Sequence, residues 1–178
     1  GLATAAGITI DAAPLREEAN LQRQRVDQLV AGNEDHQSMV RQLETMYDAP
    51  GIGLAAPQVG VTKRVIVMDC IKEGDPEPMA VLNPQILWSS EDLSSYEEGC
   101  LSIPDQYAEV KRPAEVQVRW MDLNGAMQER QFAGLWATCV QHEIDHLDGK
   151  LFIDYLGPLK RQMITRKMEK LKRERARE

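Results

Sequence analysis

Two histidines and a glutamate fall within one short stretch, Gln141-His142-Glu143-Ile144-Asp145-His146. On an α-helix, residues four apart share a face and lie about 6 Å apart along the axis. His142 and His146 can therefore turn two imidazoles toward one metal ion. Glu143, between them, offers a carboxylate that can take a proton from water. The chain has three histidines and places two of them here.

A hydrolytic metal site needs three protein ligands and one open position. One source of the third would be a histidine six residues beyond His146. Here Gly149 fits that longer pattern, but Phe152 stands where the last histidine belongs. A second source would be a glutamate on a later helix, and the glutamates after His146 are Glu169, Glu174 and Glu178, all in a basic tail. A thiolate is the third. Cys139 shares the helix face but precedes His146 by seven residues, a rise of about 10.5 Å, too far for a short side chain. Cys70 closes an apolar run and reads as core filler. Cys100 lies in Glu97-Glu98-Gly99-Cys100-Leu101-Ser102-Ile103-Pro104, read here as a turn-rich loop free to approach the helix. The set is then Cys100, His142 and His146, with Glu143 as acid and base. A structural metal site closes with four protein ligands, and no fourth stands out.

The elements that must position these groups read as follows. Gly134 to Asp148 is the ligand helix, closed by Gly149. Ile8 to Ile10 forms a short strand, and Leu21 to Val30 a helical turn or two. Asn33 caps a helix over Glu34 to Asp48, where Met39, Leu43, Met46 and Tyr47 recur at helical spacing. Pro50 and Gly51 end it. Gly51 to Gly60 is a glycine-rich connection suited to a close backbone approach. Arg64 to Asp69 is a buried strand, Lys72 to Pro78 a surface loop, and Met79 to Trp88 a strand bent at Asn83-Pro84. Ser89 to Ser95 reads as polar loop and Tyr107 to Val110 as a short strand. Glu115 to Met121 and Met127 to Phe132 make a hairpin about Asn124-Gly125. From Pro158, a helix carries Leu159, Met163, Met168 and Leu171 as an apolar stripe. The pattern is α+β.

Gly51-Ile52-Gly53-Leu54-Ala55-Ala56-Pro57-Gln58, then Glu98-Gly99-Cys100-Leu101-Ser102, then Gln141-His142-Glu143-Ile144-Asp145-His146-Leu147 resemble, in order and spacing, the three motifs of the peptide deformylase family. The likeness runs from about Leu43 to the tail. Asp11-Ala12-Ala13-Pro14-Leu15 is a loose echo of the turn that opens family members.

The resemblance implies antiparallel sheets around the ligand helix, with one catalytic domain over residues 1–178 and a basic C-terminal helix over 158–178. It implies a metal-dependent hydrolase that removes the N-formyl group from N-formylmethionine of new polypeptides, releasing formate. Cys100, His142 and His146 would hold one divalent metal, Fe2+ natively, with Zn2+, Ni2+ or Co2+ as substitutes. Glu143 would be the acid–base. The Gln58 amide and the Leu101 backbone N–H would face the developing oxyanion. Ile52 and Gly53 would receive the substrate backbone as an added strand. Leu135, Thr138 and Cys139, on the His-bearing helix face, would line the methionine pocket. Tyr107 would steady the substrate where many members carry arginine, and Thr138 stands where many carry a bulkier aliphatic residue. Two other readings are a metalloprotease of the H-E-x-x-H class and a metal-binding relative without turnover.

Three cysteines in 178 residues argue against a disulfide framework and for a reducing compartment, which the family resemblance implies is the bacterial cytosol or a bacterial-type organelle. No apolar run is long enough for a membrane span, and a monomer is expected. Net charge is −7, yet Lys160 to Glu178 holds nine Lys/Arg and three Glu, a local +6, so the remainder carries −7 − 6 = −13. A basic tail on an acidic body suggests a partner with phosphate or acidic surface, and the family resemblance implies the ribosome.

Overall fold

The computed structural model describes residues 2–5, 8–11, 41, 44–46, 48, 51–71 and 73–177, the first two stretches by backbone alone. The expected turns over Leu21 to Val30, the cap at Asn33 and most of the helix over Glu34 to Asp48 lie outside these residues. Residues 41, 44–46 and 48 are helical, and Met46 is fully buried.

The fold is α+β. Strands β1 (Leu2–Ala5) and β2 (Ile8–Asp11) pair antiparallel. A five-stranded antiparallel sheet follows, built from β3 (Gly53–Ala55), β4 (Val65–Met68), β5 (Met79–Ser89), β8 (Glu115–Met121) and β9 (Met127–Ala133), in that spatial order. Strands β6 (Leu93–Cys100) and β7 (Ile103–Pro113) form a separate two-stranded ribbon. Helix α1 (Gly134–Leu147) packs on the five-stranded sheet and touches the ribbon through β7. Helix α2 (Pro158–Arg175) follows a 3-10 turn over Phe152–Tyr155.

The sequence accounts for most of this locally. Val65-Ile66-Val67-Met68 has both faces covered and every residue buried, as a continuous apolar run requires. In β8, Val116, Val118 and Trp120 turn inward at 0%, 0% and 6% exposure, so the alternation selects the core face. Edge strand β9 buries only Phe132 and presents Glu129 and Arg130 outward, which discourages strand addition there. Asn83 has a positive φ of 50°, and the β5–β8 register shifts between Leu82 and Gln85, so the Asn83-Pro84 bend is a bulge. Gly149 has φ 75° one residue past the Asp148 cap of α1, the conformation that lets α1 stop there.

Three expectations need correction. Leu93 to Ser95 is strand, not loop, and Cys100 ends that strand, with Leu101 and Ser102 as the tight turn into β7. The second strand runs from Ile103 to Pro113, well beyond Tyr107 to Val110. Its polar residues hid its full length, because one ribbon face meets solvent while the other buries the charged Glu98 and Arg112 alongside Ile103, Ala108 and Val110. On α2, Leu159 and Met163 are 79% and 61% exposed, whereas Ile164 is buried with Met168 packed near it. The inward face starts at Ile164 because the ribbon and the 3-10 turn meet the helix there. The glycine-rich connection also proves more ordered than expected, containing β3 and a 3-10 turn over Ala56–Val59.

Two apolar clusters result. The larger lies between the five-stranded sheet and α1. The smaller joins Ile103, Ala108 and Val110 of the ribbon to Phe152, Ile153 and Ile164. Residues 137–146 of α1 are all buried, so the ligand helix is enclosed.

Candidate metal centre and active site

Helix α1 brings His142 and His146 to one face, and the end of β6 brings Cys100 to meet them. The His142 and His146 Nε2 atoms are 3.2 Å apart, and Cys100 Sγ is 3.2 Å from His146 Nε2. The three donor atoms lie within 4.8 Å of one another. Tetrahedral ligation with bonds of about 2.0–2.3 Å would set such donors about 3.3–3.6 Å apart, so the set fits a divalent ion of that kind.

Orientation agrees with spacing. His142 Nδ1 lies 2.7 Å from Glu98 Oε1, which assigns its proton to Nδ1 and turns the Nε2 lone pair to the centre. For the side chains alone, burial works against a charged His142, but hydrogen bonds to Cys100 and Glu98 lift its pKa to about 10. Burial and the neighbouring His142 hold His146 down to about 4.

Behind His142 is a buried ionic group absent from the sequence reading. Glu98 is 0% and Arg112 3% exposed. Arg112 Nε and Nη2 donate to the two Glu98 oxygens at 2.7 and 3.0 Å, and Nη1 donates to Asp145 Oδ2 at 2.8 Å. Burial would raise the Glu98 pKa, yet the hydrogen bonds from His142 and Arg112 hold it below its usual value. Glu98 and Asp145 were legible as parts of motifs. Arg112, ten residues beyond Ser102, carried no signal beyond being a cation inside a strand.

Glu143 lines the cleft beside His142. It is 4% exposed, and its Oε2 has no hydrogen-bond partner among the described residues. Burial raises its pKa to about 7. Packing confines it: a Cβ placed on Gly53 would lie 2.7 Å from both Glu143 Oε1 and Cys139 Sγ. Gln58 Oε1 accepts from Ala55 N at 2.8 Å, which turns Nε2 toward Cys100 Sγ at 3.6 Å and Ser102 Oγ at 3.0 Å. Ile52, Gly53, Gln58, Gly99, Cys100, Leu101, His142 and Glu143 together line the cleft.

The remaining expected residues are placed differently. Tyr107 lies across Gly99, where an added Cβ would meet ring atoms at 2.5 and 2.6 Å, and it lines a neighbouring cavity that shares Cys100 and Leu101 with the cleft. Cys139 is buried beneath Gly53, with Sγ 3.5 Å from Ile52 O. A hydrogen bond with Cys70 and burial keep its thiol protonated. Leu135 packs against the core and Thr138 is 1% exposed, and neither is among the cleft walls.

With this geometry set out, comparison with known proteins decides the family. The polypeptide deformylase family model matches residues 11–162. The chain belongs to the polypeptide deformylase family. The match starts at Asp11, well before Leu43, so the early turn is part of the likeness. A curated peptide deformylase of Afipia carboxidovorans is 61% identical over 128 residues, 71% of this chain and 75% of that protein. The crystal structure of a peptide deformylase from Legionella pneumophila superposes with a TM-score of 0.72 at 46% identity, covering 82% of this chain and 86% of that one. The Met-Ala-Ser-bound peptide deformylase from Acinetobacter baumannii gives a TM-score of 0.67 at 37% identity, covering 70% and 82%. The chain is therefore a metal-dependent hydrolase that removes the N-formyl group from new polypeptides. No helix among the described residues is long and apolar enough to cross a membrane.

Proposed function

We propose that Cys100, His142 and His146 hold one divalent metal ion and that Glu143 is the acid–base of deformylation. The convergence of the three donor atoms carries this reading. A metal held by Cys100, His142 and His146 would polarise the formyl carbonyl and lower the pKa of water. Glu143, buried with one oxygen unpartnered among the described residues, accepts the proton that water gives up and later returns it to the leaving amine. Gln58 Nε2 and the Leu101 backbone N–H stabilise the oxygen that gains charge as the formyl carbon becomes tetrahedral. Glu98 and Arg112 orient His142.

Strand β3 is an edge of its sheet and borders the cleft through Gly53, which supports docking of N-formylmethionyl peptides as an added strand. Leu135, Thr138 and Cys139 remain the side chains proposed near the methionine group, and equal cleavage of formylated methionine, norleucine and leucine peptides counts against that pocket. Tyr107, packed over Gly99, anchors substrate by its ring and hydroxyl. Salt dependence of KM that is the same in wild type and Tyr107→Arg counts against an uncharged anchor. A thiolate with two imidazoles suits Fe2+, with Zn2+, Ni2+ or Co2+ able to replace it. The protein acts as a monomeric single catalytic domain in the bacterial cytosol, and the bacterial relatives support that setting. The basic α2 approaches ribosomal RNA, so removing residues after Lys160 should weaken ribosome pelleting in a salt-dependent way.

The deciding experiment is formate release from formyl-Met-Ala-Ser by anaerobically purified protein loaded with Fe2+ or Ni2+, beside Glu143→Ala. Turnover lost in Glu143→Ala with metal still bound supports the assignment. Turnover that survives there overturns the role of Glu143.

A further inference from the structure

The 3-10 turn Phe152–Tyr155 meets the back of the candidate metal centre at two points. Phe152, 1% exposed, stacks on the His142 ring with centroids 6.4 Å apart and planes 19° from parallel. The residue that stands where another ligand pattern needs a histidine thus packs against a ligand. Tyr155 lies at the other end of the turn. Its hydroxyl donates to Asp145 Oδ2 at 2.8 Å, and its ring faces the Arg112 guanidinium, with Cζ 4.6 Å from the centroid.

That contact continues inward. The same Asp145 oxygen accepts Arg112 Nη1 at 2.8 Å. Arg112 grips Glu98 through Nε and Nη2, and Glu98 Oε1 lies 2.7 Å from His142 Nδ1. Charged hydrogen bonds therefore run unbroken from the phenol to the imidazole. The guanidinium fork is rigid, so fixing its Asp145 end fixes where its Glu98 end lies. Asp145 is the less buried end, its side chain 13% exposed against 3% for Arg112 and 0% for Glu98. The Tyr155 hydroxyl and ring close that end and shield the ion pairs from water, which strengthens them.

We propose that Tyr155 is a positioning residue of the metal centre: by holding Asp145 and Arg112 it fixes Glu98 against His142 and so aims the His142 Nε2 lone pair. The proposal rests on the reading of Cys100, His142 and His146 as ligands. It gives the start of the C-terminal segment a part in ligand geometry, although Tyr155 is 47% exposed and touches neither ligand nor substrate.

The test uses the full chain loaded with Co2+, as wild type, Tyr155→Phe and Tyr155→Leu. The phenylalanine variant keeps the ring over Arg112 and loses only the hydroxyl, whereas the leucine variant loses both. Release of Co2+ to excess chelator and the visible Co2+ spectrum are read beside kcat and KM for formyl-Met-Ala-Ser. Partners that bond a ligand directly are worth about 10–100-fold in metal affinity, and the Tyr155 hydroxyl reaches His142 through three intermediaries, Asp145, Arg112 and Glu98, so release should quicken about 3–10-fold in Tyr155→Phe. Tyr155→Leu should release faster still, with KM unchanged in both. Urea unfolding of the metal-free proteins identifies a purely structural role: wild-type release and spectrum in both variants overturn the proposal whatever happens to stability. Cys100→Ser separates the two readings. If it keeps the wild-type spectrum and release rate, the ligand assignment falls and takes the proposal with it. If it alters the spectrum while both Tyr155 variants match wild type, only the role of Tyr155 falls.

Discussion

Gly53→Ala places one methyl group where Glu143 is held by packing. Gly53 lies in β3 with backbone dihedrals that alanine adopts freely, so the effect is steric. The added Cβ would stand 2.7 Å from Glu143 Oε1, 2.7 Å from Cys139 Sγ and 2.9 Å from Glu143 Cγ. Ordinary contact begins at 3.4 Å, so the shortfall at the carboxylate is 3.4 − 2.7 = 0.7 Å. Cys139 cannot give way easily, because it is 1% exposed and its Sγ rests on Ile52 O. Glu143 Oε2 has no hydrogen-bond partner among the described residues, so the carboxylate is the group that moves. Overpacking of this kind costs about 1–3 kcal/mol of stability. A misplacement approaching 1 Å at a catalytic group can cost about 10²-fold in rate. The expected result is kcat down by about 10–100-fold with one metal ion still bound per chain. Deformylase kinetics, metal analysis and urea unfolding measure the three quantities together. Adding Cys139→Ala removes one of the two closest contacts and should restore part of the rate, a coupling of about 0.5–3 kcal/mol. A kcat within twofold of wild type at equal metal content would refute the idea that Gly53 holds Glu143 in place.

Arg112→Met leaves Glu98 and Asp145 without their shared cation and should cost about 3–5 kcal/mol in urea unfolding, with much of the loss recovered when Glu98→Gln is added. A loss below about 1 kcal/mol in the single variant would contradict the ion-pair assignment. Gln58→Glu keeps the oxygen that accepts from Ala55 N but removes the amide donors. It should lower kcat by about 10²–10³-fold with metal retained, and a near-normal kcat would remove Gln58 from the oxyanion site. Asp122 is bonded by the Gln128 side chain and by the backbone N–H groups of Ala126 and Asn124, which lower its pKa. A lowered folded-state value means the stabilisation is present above the unfolded value of about 3.9 and fades as pH falls through the folded one. The urea midpoints of wild type and Asp122→Asn should therefore differ at neutral pH and converge in acid, and a gap independent of pH would exclude the carboxylate as its cause.

What the chain states about itself is local. His142 and His146 fall on one helix face because 3.6 residues make a turn, and Glu143, the next residue after His142, lies to one side of that face for the same reason. The β8–β9 hairpin is written in alternation around Asn124-Gly125, and β4 in an unbroken apolar run. Cys100 emerged by elimination, from what its rivals could not reach. The motifs containing Gln58, Cys100 and His142 named the family because their order and spacing are specific even when each alone is not.

The tertiary structure decided what depends on distance through space. Strand β7 reads too short in the sequence because its buried Arg112 bonds Glu98 of β6 through their side chains, a polar contact that hydrophobic periodicity cannot detect. Arg112 and Asp145 are 33 positions apart and share a hydrogen bond only because the ribbon folds over α1. The apolar stripe on α2 turned outward at Leu159 and Met163 because helical spacing defines faces without saying which neighbour each face meets. Gly53 could be seen as a place for close approach, but only the packed fold shows that what approaches is the carboxylate of Glu143. Local spacing follows from backbone geometry, which every residue carries with it. Burial and partnership follow from the whole chain packing at once.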